Sequence, residues 1–237
     1  MVSGIRRRPW GGRVSHPAAP AELVRPKAIL LDWDDTLVDN WASIHSAMNA
    51  TLAALGRPLW SLEQTRAEAR RSLRNSFPEI FGPRWEEARE LFYRHFAANH
   101  LQLLKIHAGA EGFLEAAAGA GLYLAVVSNK TGIFLREEAA HLGWSGFFGA
   151  IVGANDAAED KPAPAPVKLA LEASGFAAGP EVWFVGDGRV DMECARRATC
   201  AAVLLRADPP VGDEFGPHGP DRHVASFAEL ESLVLAG

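Results

Sequence analysis

Carboxylates cluster where an apolar stretch of the chain ends. Residues 29–40 read ILLDWDDTLVDN, an aliphatic run that ends in Asp32, Asp34 and Asp35 and continues with Thr36. Aliphatic residues at this density are typical of a strand buried on both faces of a parallel sheet. Adjacent carboxylates repel one another and resist desolvation unless a cation or a chemical role compensates. Because ligands of open α/β sheets bind at the carboxyl ends of strands, we predict the active site here.

Other polar positions follow later apolar runs or lie in loops near them. They are Ser128 with Asn129, Lys161, and Asp187 with Asp191. We expect them to converge with the first acidic cluster, because parallel strands end at one edge of a sheet. This set of groups suits phosphoryl transfer. Carboxylates hold Mg²⁺ or act as nucleophiles, and a lysine and a hydroxyl neutralise the transferring group.

The alternation of strand-like and helix-like patterns predicts an α/β fold built on a doubly wound parallel sheet. This Rossmann-like core is expected over residues 27–40 and 106–237. After the first strand, we expect strands over 122–129, 149–155, 181–188, 201–206 and 223–226, and helices over 110–119, 132–142, 166–174, 190–198 and 227–235.

Residues 41–105 interrupt this alternation with helical patterns alone. Helices are predicted over 41–55, over 61–77 with Ser61 as the N-cap, and over about 84–104. The segment is too long for a simple crossover between parallel strands. We therefore predict an inserted all-helical cap domain.

Composition excludes several classes of protein. The chain has 237 residues, of which 48% are hydrophobic and 22% charged, as in ordinary soluble proteins. Its net charge of −5 argues against nucleic acid as a partner, and no apolar run is long enough to span a membrane. Cys194 and Cys200 form no metal-ligand pattern, and we expect free thiols in a reducing cytoplasm. Residues 1–26, rich in Arg, Pro and Gly, are predicted to be a disordered extension, with a targeting peptide as the alternative.

Taken in order, these motifs resemble those of the haloacid dehalogenase-like hydrolase superfamily. Its four motifs are matched by Asp32, Asp34 and Thr36, by Ser128, by Lys161 before Pro162, and by Gly186, Asp187 and Asp191. The strings SNK (128–130) and KPAPAPV (161–167), together with the position of the helical insertion, resemble the phosphoglycolate phosphatase-like branch.

The resemblance implies a role for each matched residue. Asp32 is the nucleophile and a Mg²⁺ ligand, and Asp34 is the general acid and base with its backbone carbonyl on the metal. Phosphoryl oxygens are held by Ser128 and Lys161, with Thr36 and Asn129 in support. Asp187 and Asp191 complete the metal site, Asp191 either directly or through another ligand. The implied activity is hydrolysis of a small phosphorylated metabolite through an aspartyl-phosphate; the oligomeric state is not predicted.

Alternatives remain open at the level of the sequence. A phosphomutase or a catalytically silent binding module could use the same core. A dehalogenase is disfavoured because Asp34 supplies the acid that an alcohol leaving group needs, and a phosphonate hydrolase because residues 28–104 contain no lysine. Structural roles also compete: Asp187 and Asp191 suit the start of a helix. Arg66, Arg70, Arg71 and Arg74 suit a solvated face, with contact of one of them to an anionic substrate as the alternative. Trp33 and His45 are candidates for the pocket wall, and Asp35 stands where many relatives carry Gly.

Overall fold

A six-stranded parallel sheet forms the centre of the computed structural model, which describes residues 23–69 and 71–235. The order of the strands is β5–β4–β1–β6–β7–β8, and every neighbouring pair is parallel. The strands are β1 (Ala28–Leu31), β4 (Tyr123–Thr131), β5 (Ala150–Ala154), β6 (Val182–Gly186), β7 (Ala201–Leu205) and β8 (Arg222–Val224). The predicted doubly wound parallel sheet is therefore confirmed.

Helices cover both faces of this sheet, as the continuous apolar runs of the strands require. Along β1, Ile29 and Leu31 pack into one cluster, and Ala28 and Leu30 pack into the cluster on the opposite face. Helices α5, α6 and α9 contribute to the first cluster, and α7 and α8 to the second. Their bounds are α5 (Ala110–Gly119), α6 (Gly132–His141), α7 (Ala165–Leu171), α8 (Arg189–Arg197) and α9 (Phe227–Leu235).

Strand β1 occupies the switch point of the sheet. The chain adds β4 and β5 on one side of β1 and then returns to add β6, β7 and β8 on the other. The crevice of a doubly wound fold lies at the carboxyl ends of the strands at such a point. Residues that end β1, β4 and β6 therefore face one another.

Four helices form a separate block between β1 and β4. They are α1 (Trp41–Ala54), α2 (Leu62–Glu68), α3 (Leu73–Phe81) and α4 (Trp85–Leu103). Their apolar cluster includes Met48, Phe77 and Phe92 and also accepts Phe134 from α6, so the block packs against the α/β core. The start of the block is tied to its end by a two-stranded antiparallel ribbon, β2 (Val38–Asp39) with β3 (Lys105–Ile106), which the sequence pattern did not reveal.

The prediction of one helix over 61–77 was wrong. Ser61 does cap α2 through a capping box with Gln64, but α2 ends at Glu68 and α3 begins at Leu73. A single helix would stack three arginines of this segment four residues apart, which costs free energy through like-charge repulsion. The break lets Arg74 donate to Asp160 on the core, with Nη2 2.6 Å from Oδ1.

The described part of the chain begins with residues that pack on the core. Residues 1–22, most of the predicted extension, lie outside the described part, whereas Leu23 packs on the core and the Val24 carbonyl accepts a hydrogen bond from Trp183. Within residues 23–69 and 71–235, none of the helices is long and apolar enough to cross a membrane.

Candidate active site

Three carboxylates meet at the carboxyl edge of the sheet. Asp32 follows β1, Asp187 follows β6, and Asp191 lies in the first turn of α8. All three are buried, and each offers an oxygen within 4.8 Å of the oxygens of the other two. The sequence prediction had placed these three residues together.

Lys161 compensates part of this charge. Its Nζ lies 2.8 Å from Asp32 Oδ1 and 2.7 Å from Asp191 Oδ1, and the side chain is 2% exposed. The two carboxylates raise the pKa of Lys161 even though burial acts to lower it, so the ammonium stays charged. Burial raises the pKa of Asp191 to about 6 against the opposing charge of Lys161. Lys161 therefore offsets the burial of Asp191 only in part.

Asp191 has both a structural and a chemical position. Its Oδ2 accepts the backbone N–H of Gly188 at 3.1 Å, which closes the start of α8 as the structural alternative expected. Its Oδ1 faces Lys161. Gly186 permits this arrangement, because a Cβ at that position would collide with the Asp191 carboxylate. The helix cap and the acidic site share one side chain.

Ser128 and Asn129 come from the end of β4. The Ser128 hydroxyl oxygen accepts the N–H of Lys130 at 3.2 Å, which leaves its own proton available for a ligand. Asn129 Nδ2 donates to the carbonyl of Lys161 at 3.2 Å. Asn129 therefore positions the loop that carries the lysine, besides lining the cavity with Ser128.

Asp34 belongs to a second ionic group. Its Oδ1 lies 2.8 Å from Nζ of Lys130, a side chain that is 4% exposed. Burial raises the pKa of Asp34 to about 6, opposed by Lys130 and supported by the charges of Glu138 and Asp32. The group therefore holds a proton more readily than an ordinary aspartate, which is the property that a general acid needs.

Glu138 fixes the lysine that faces Asp34. Its side chain is fully buried, and its oxygens lie 3.0 Å from Nζ of Lys130. Trp33 Nε1 and Asn40 Nδ2 each donate to it at 2.7 Å, and the His100 ring contacts it through Nδ1 at 2.9 Å. Lys130 lowers the pKa of Glu138 despite the burial that acts to raise it.

The sequence motifs include Lys130 only as part of the string SNK (128–130) and predict no role for it. They do not include Glu138. Lys130 lies two residues after Ser128 at the end of the same strand, a position that a register argument could have flagged. Glu138 follows an ordinary Glu137 in an amphipathic helix, so no local signal marks it. Three of its partners, Trp33, Asn40 and His100, come from distant parts of the chain, and Lys130 comes from the preceding strand.

Asp35 lies at a backbone position of unusual conformation. Its φ is +64°, in the left-handed region, and its N–H donates to the Val38 carbonyl at 2.8 Å. Glycine adopts this conformation without steric cost, and aspartate is among the few other residues that tolerate it. The Gly of many relatives and the Asp of this chain therefore meet the same backbone demand. The carboxylate itself lines the cavity and lies 3.9 Å from Nε2 of His107.

Several predicted site residues lie elsewhere. Thr36 is 2% exposed and is not among the described residues that line the cavity, because the turn after Trp33 folds it into the interior. Trp33 is fully buried in the core, where Glu138 holds its ring N–H, so it does not wall the pocket. His45 contacts Thr65 at 2.9 Å inside the helical block. The Asp34 carboxylate is not part of the acidic cluster, and its predicted metal contact through the backbone carbonyl stays a prediction.

The acidic cluster fits a hard divalent cation. Mg²⁺ prefers a few carboxylate oxygens supplemented by water and phosphate oxygens. Asp32, Asp187 and Asp191 supply such oxygens within 4.8 Å of one another, and all three are buried at one edge of the sheet. This donor set suits the ion.

The switch point of the doubly wound parallel sheet carries a buried lysine and a cluster of three buried carboxylates. The chain matches the haloacid dehalogenase-like hydrolase family over residues 29–205. It belongs to that family, and it is therefore an enzyme, as the motifs predicted.

Individual relatives agree with this assignment. A phosphoglycolate phosphatase of Photorhabdus laumondii is 28% identical over 216 residues, 88% of this chain and 92% of the relative. One from Pseudomonas syringae pv. syringae is 31% identical over 190 residues, 76% of this chain and 69% of the relative. These relatives confirm the resemblance to the phosphoglycolate phosphatase-like branch and the expectation of a phosphatase-type hydrolase.

Solved structures share the fold. A haloacid dehalogenase-like family protein from Streptococcus pneumoniae superposes with a TM-score of 0.75 at 22% identity, covering 86% of this chain and 96% of that one. A HAD-superfamily hydrolase from Geobacter sulfurreducens gives a TM-score of 0.65 at 23% identity, covering 88% and 96%. At this identity the likeness concerns architecture.

The conformation of Asp35 predicts a difference between two substitutions that both remove its carboxylate. Asp35→Gly should be more stable than Asp35→Ala by about 1–2 kcal/mol, because only the alanine places a Cβ in the left-handed region. Urea denaturation of both variants measures the difference in the free energy of unfolding. Equal stability would show that the backbone demand is not what selects this residue.

Proposed function

We propose that the protein is a Mg²⁺-dependent phosphatase that hydrolyses a small phosphomonoester through a phosphorylated Asp32. The observation that carries the proposal is the convergence of Asp32, Lys161 and the acidic cluster with a separate carboxylate, Asp34, which contacts a different lysine. A cytoplasmic location stays a prediction. Phosphoglycolate is the first substrate that the named relatives suggest.

The first half of the reaction transfers the phosphoryl group to the enzyme. A carboxylate oxygen of Asp32 attacks phosphorus as the bond from phosphorus to the alcohol oxygen breaks. Asp34 donates its proton to that oxygen, and the alcohol leaves. Lys161 and the Ser128 hydroxyl donate to the phosphoryl oxygens, which carry the developing charge. Asp32, Asp187 and Asp191 would hold Mg²⁺, which would supply further positive charge to stabilise the transferring group.

The second half restores the enzyme. Asp34, now ionised, takes a proton from water, whose oxygen attacks phosphorus as the bond to Asp32 breaks. Inorganic phosphate is released and Asp34 is protonated again. Lys130 has a positioning role here, because it holds the Asp34 carboxylate while Glu138 holds Lys130. Release of inorganic phosphate distinguishes this reaction from that of a phosphomutase.

Loss of the nucleophile tests the activity itself. With p-nitrophenyl phosphate and Mg²⁺, the wild type should turn over and Asp32→Asn should lose at least about a thousandfold in kcat, because an amide does not attack phosphorus. EDTA should abolish wild-type turnover and added Mg²⁺ should restore it. Equal rates for the wild type and Asp32→Asn would contradict the proposed nucleophile, and turnover in EDTA would contradict the metal site.

Replacement of the acid and base should separate the two halves of the reaction. Asp34→Asn should release p-nitrophenolate in a rapid burst, since this leaving group needs no proton, and then stall at the phosphorylated enzyme, because no base activates water. Quenched-flow measurement of the burst and mass spectrometry of the protein check both steps. Steady turnover at the wild-type rate would exclude Asp34 from this role.

The Lys130 contact predicts a kinetic effect without direct contact to phosphate. Lys130→Met should lower kcat by at least about tenfold with little change in KM, and it should lower the free energy of unfolding by about 3–5 kcal/mol because it leaves buried carboxylates unpaired. Glu138→Gln preserves the shape of the network and should reduce kcat in the same direction.

The matched control for this pair is Lys168→Met, which removes an exposed lysine from α7. Its kcat and stability should stay at wild-type values. A Lys130→Met enzyme that keeps its full kcat, or one in which KM alone changes, would contradict a positioning role for Lys130.

A further inference from the structure

The cavity at the acidic site has two chemically different ends. Its volume is about 140 Å³, and it runs from the strand ends into the helical block. At the strand ends it is lined by the carboxylates, Ser128 and Lys161. In the helical block and on the adjoining α6 most of the lining is apolar, with Glu68, Arg71 and Ser76 as its polar members, and it includes the rings of Trp41, Phe77, Phe92, Tyr93, Phe96 and Phe134. A phosphoryl group at the strand ends directs the rest of its ester toward these rings.

The cations around the cavity are already engaged or exposed. Lys161 is shared by Asp32 and Asp191, and Lys130 is shared by Asp34 and Glu138. In the described part of the helical block, the cation that lines the cavity is Arg71, which is 43% exposed and bound to Glu79. Arg189 of α8 also lines the cavity and is exposed.

A second anionic group on the substrate would therefore enter an end where the buried cation, Lys130 with its Nζ 5.0 Å from the Phe96 ring centroid, is already held by Asp34 and Glu138. Transfer of an unpaired carboxylate out of water is strongly unfavourable, and a string of hydroxyls would lose hydrogen bonds to water that the rings do not replace. An apolar group would instead gain by leaving water, and an aromatic one would gain edge-to-face contacts with the rings.

We propose that the alcohol released by this enzyme carries an uncharged apolar group, aromatic or branched aliphatic, that occupies the ring-lined end of the cavity. This inference rests on the proposed phosphatase activity. It distinguishes the chain from the phosphoglycolate phosphatases that it resembles, whose named substrate carries a carboxylate.

The direct test compares benzyl phosphate with 2-phosphoglycolate in the presence of Mg²⁺. Both are esters of primary alcohols, so their intrinsic reactivity is similar and the difference in kcat/KM reports on the cavity. We expect benzyl phosphate to be preferred by at least about tenfold. Inhibition of p-nitrophenyl phosphate hydrolysis by benzylphosphonate and by phosphonoacetate gives a second comparison that needs no variant, and benzylphosphonate should bind more tightly by a similar factor.

A charge placed in the apolar end of the cavity should weaken the preference for benzyl phosphate over 2-phosphoglycolate. Ile44 lines the cavity and is partly buried. Ile44→Lys should lower the ratio of kcat/KM for benzyl phosphate to that for 2-phosphoglycolate by at least about tenfold. Leu59→Lys adds the same charge at a 61% exposed position outside the cavity lining and should leave the ratio unchanged. Thermal denaturation of both variants establishes that they are folded.

The outcomes separate this inference from the proposed function. Turnover of p-nitrophenyl phosphate together with a preference for 2-phosphoglycolate, or inhibition stronger by phosphonoacetate, overturns the apolar leaving group and leaves the phosphatase intact. No turnover of any of the three esters with Mg²⁺ overturns both.

Discussion

The pairing of buried carboxylates with buried lysines is the constraint on which the site depends. An isolated charge in the interior is costly, and removing one member of a buried pair costs about 3–5 kcal/mol. Lys161 contacts both Asp32 and Asp191, so these two buried carboxylates share one buried cation. The contacts that make the site reactive are therefore also contacts that hold β1, α8 and the Lys161 loop together.

The two lysines contact different carboxylates. Lys161 lies with the acidic cluster at the switch point, whereas Lys130 lies with Asp34, on the side of the helical block. Asp32 and Asp34 are only two residues apart, yet they contact different lysines. Neighbouring groups with different partners can hold protons with different affinity, which is what a nucleophile and an acid and base acting in one site require.

Much of the α/β core could be predicted from the sequence, because the positions of its strands and of the polar residues at their ends follow simple geometric rules. Continuous apolar runs mark buried parallel strands, and the carboxyl ends of these strands converge. This rule alone predicts that five polar residues lie close together: Asp32, Ser128, Lys161, Asp187 and Asp191. The rest depended on tertiary contacts. The break in the predicted helix over 61–77 places Arg74 against Asp160, and Thr36 is buried by a turn that the motif alone does not describe. The sequence motif did not explain Asp35, because a motif describes side chains and carries no information on the backbone φ angle that this position requires.

The contacts of the buried Glu138 carboxylate affect how the protein unfolds. Its buried carboxylate is contacted from the segment after β1 by Trp33 and Asn40, from α4 by His100, and from β4 by Lys130. Separation of the helical block from the α/β core would remove His100 from this carboxylate, whereas Trp33, Asn40 and Lys130 would stay beside it. The His100 contact therefore links opening of the block to the uncovering of a buried charge, and amide protons beneath this contact should exchange with solvent more slowly than those at the outer end of the block.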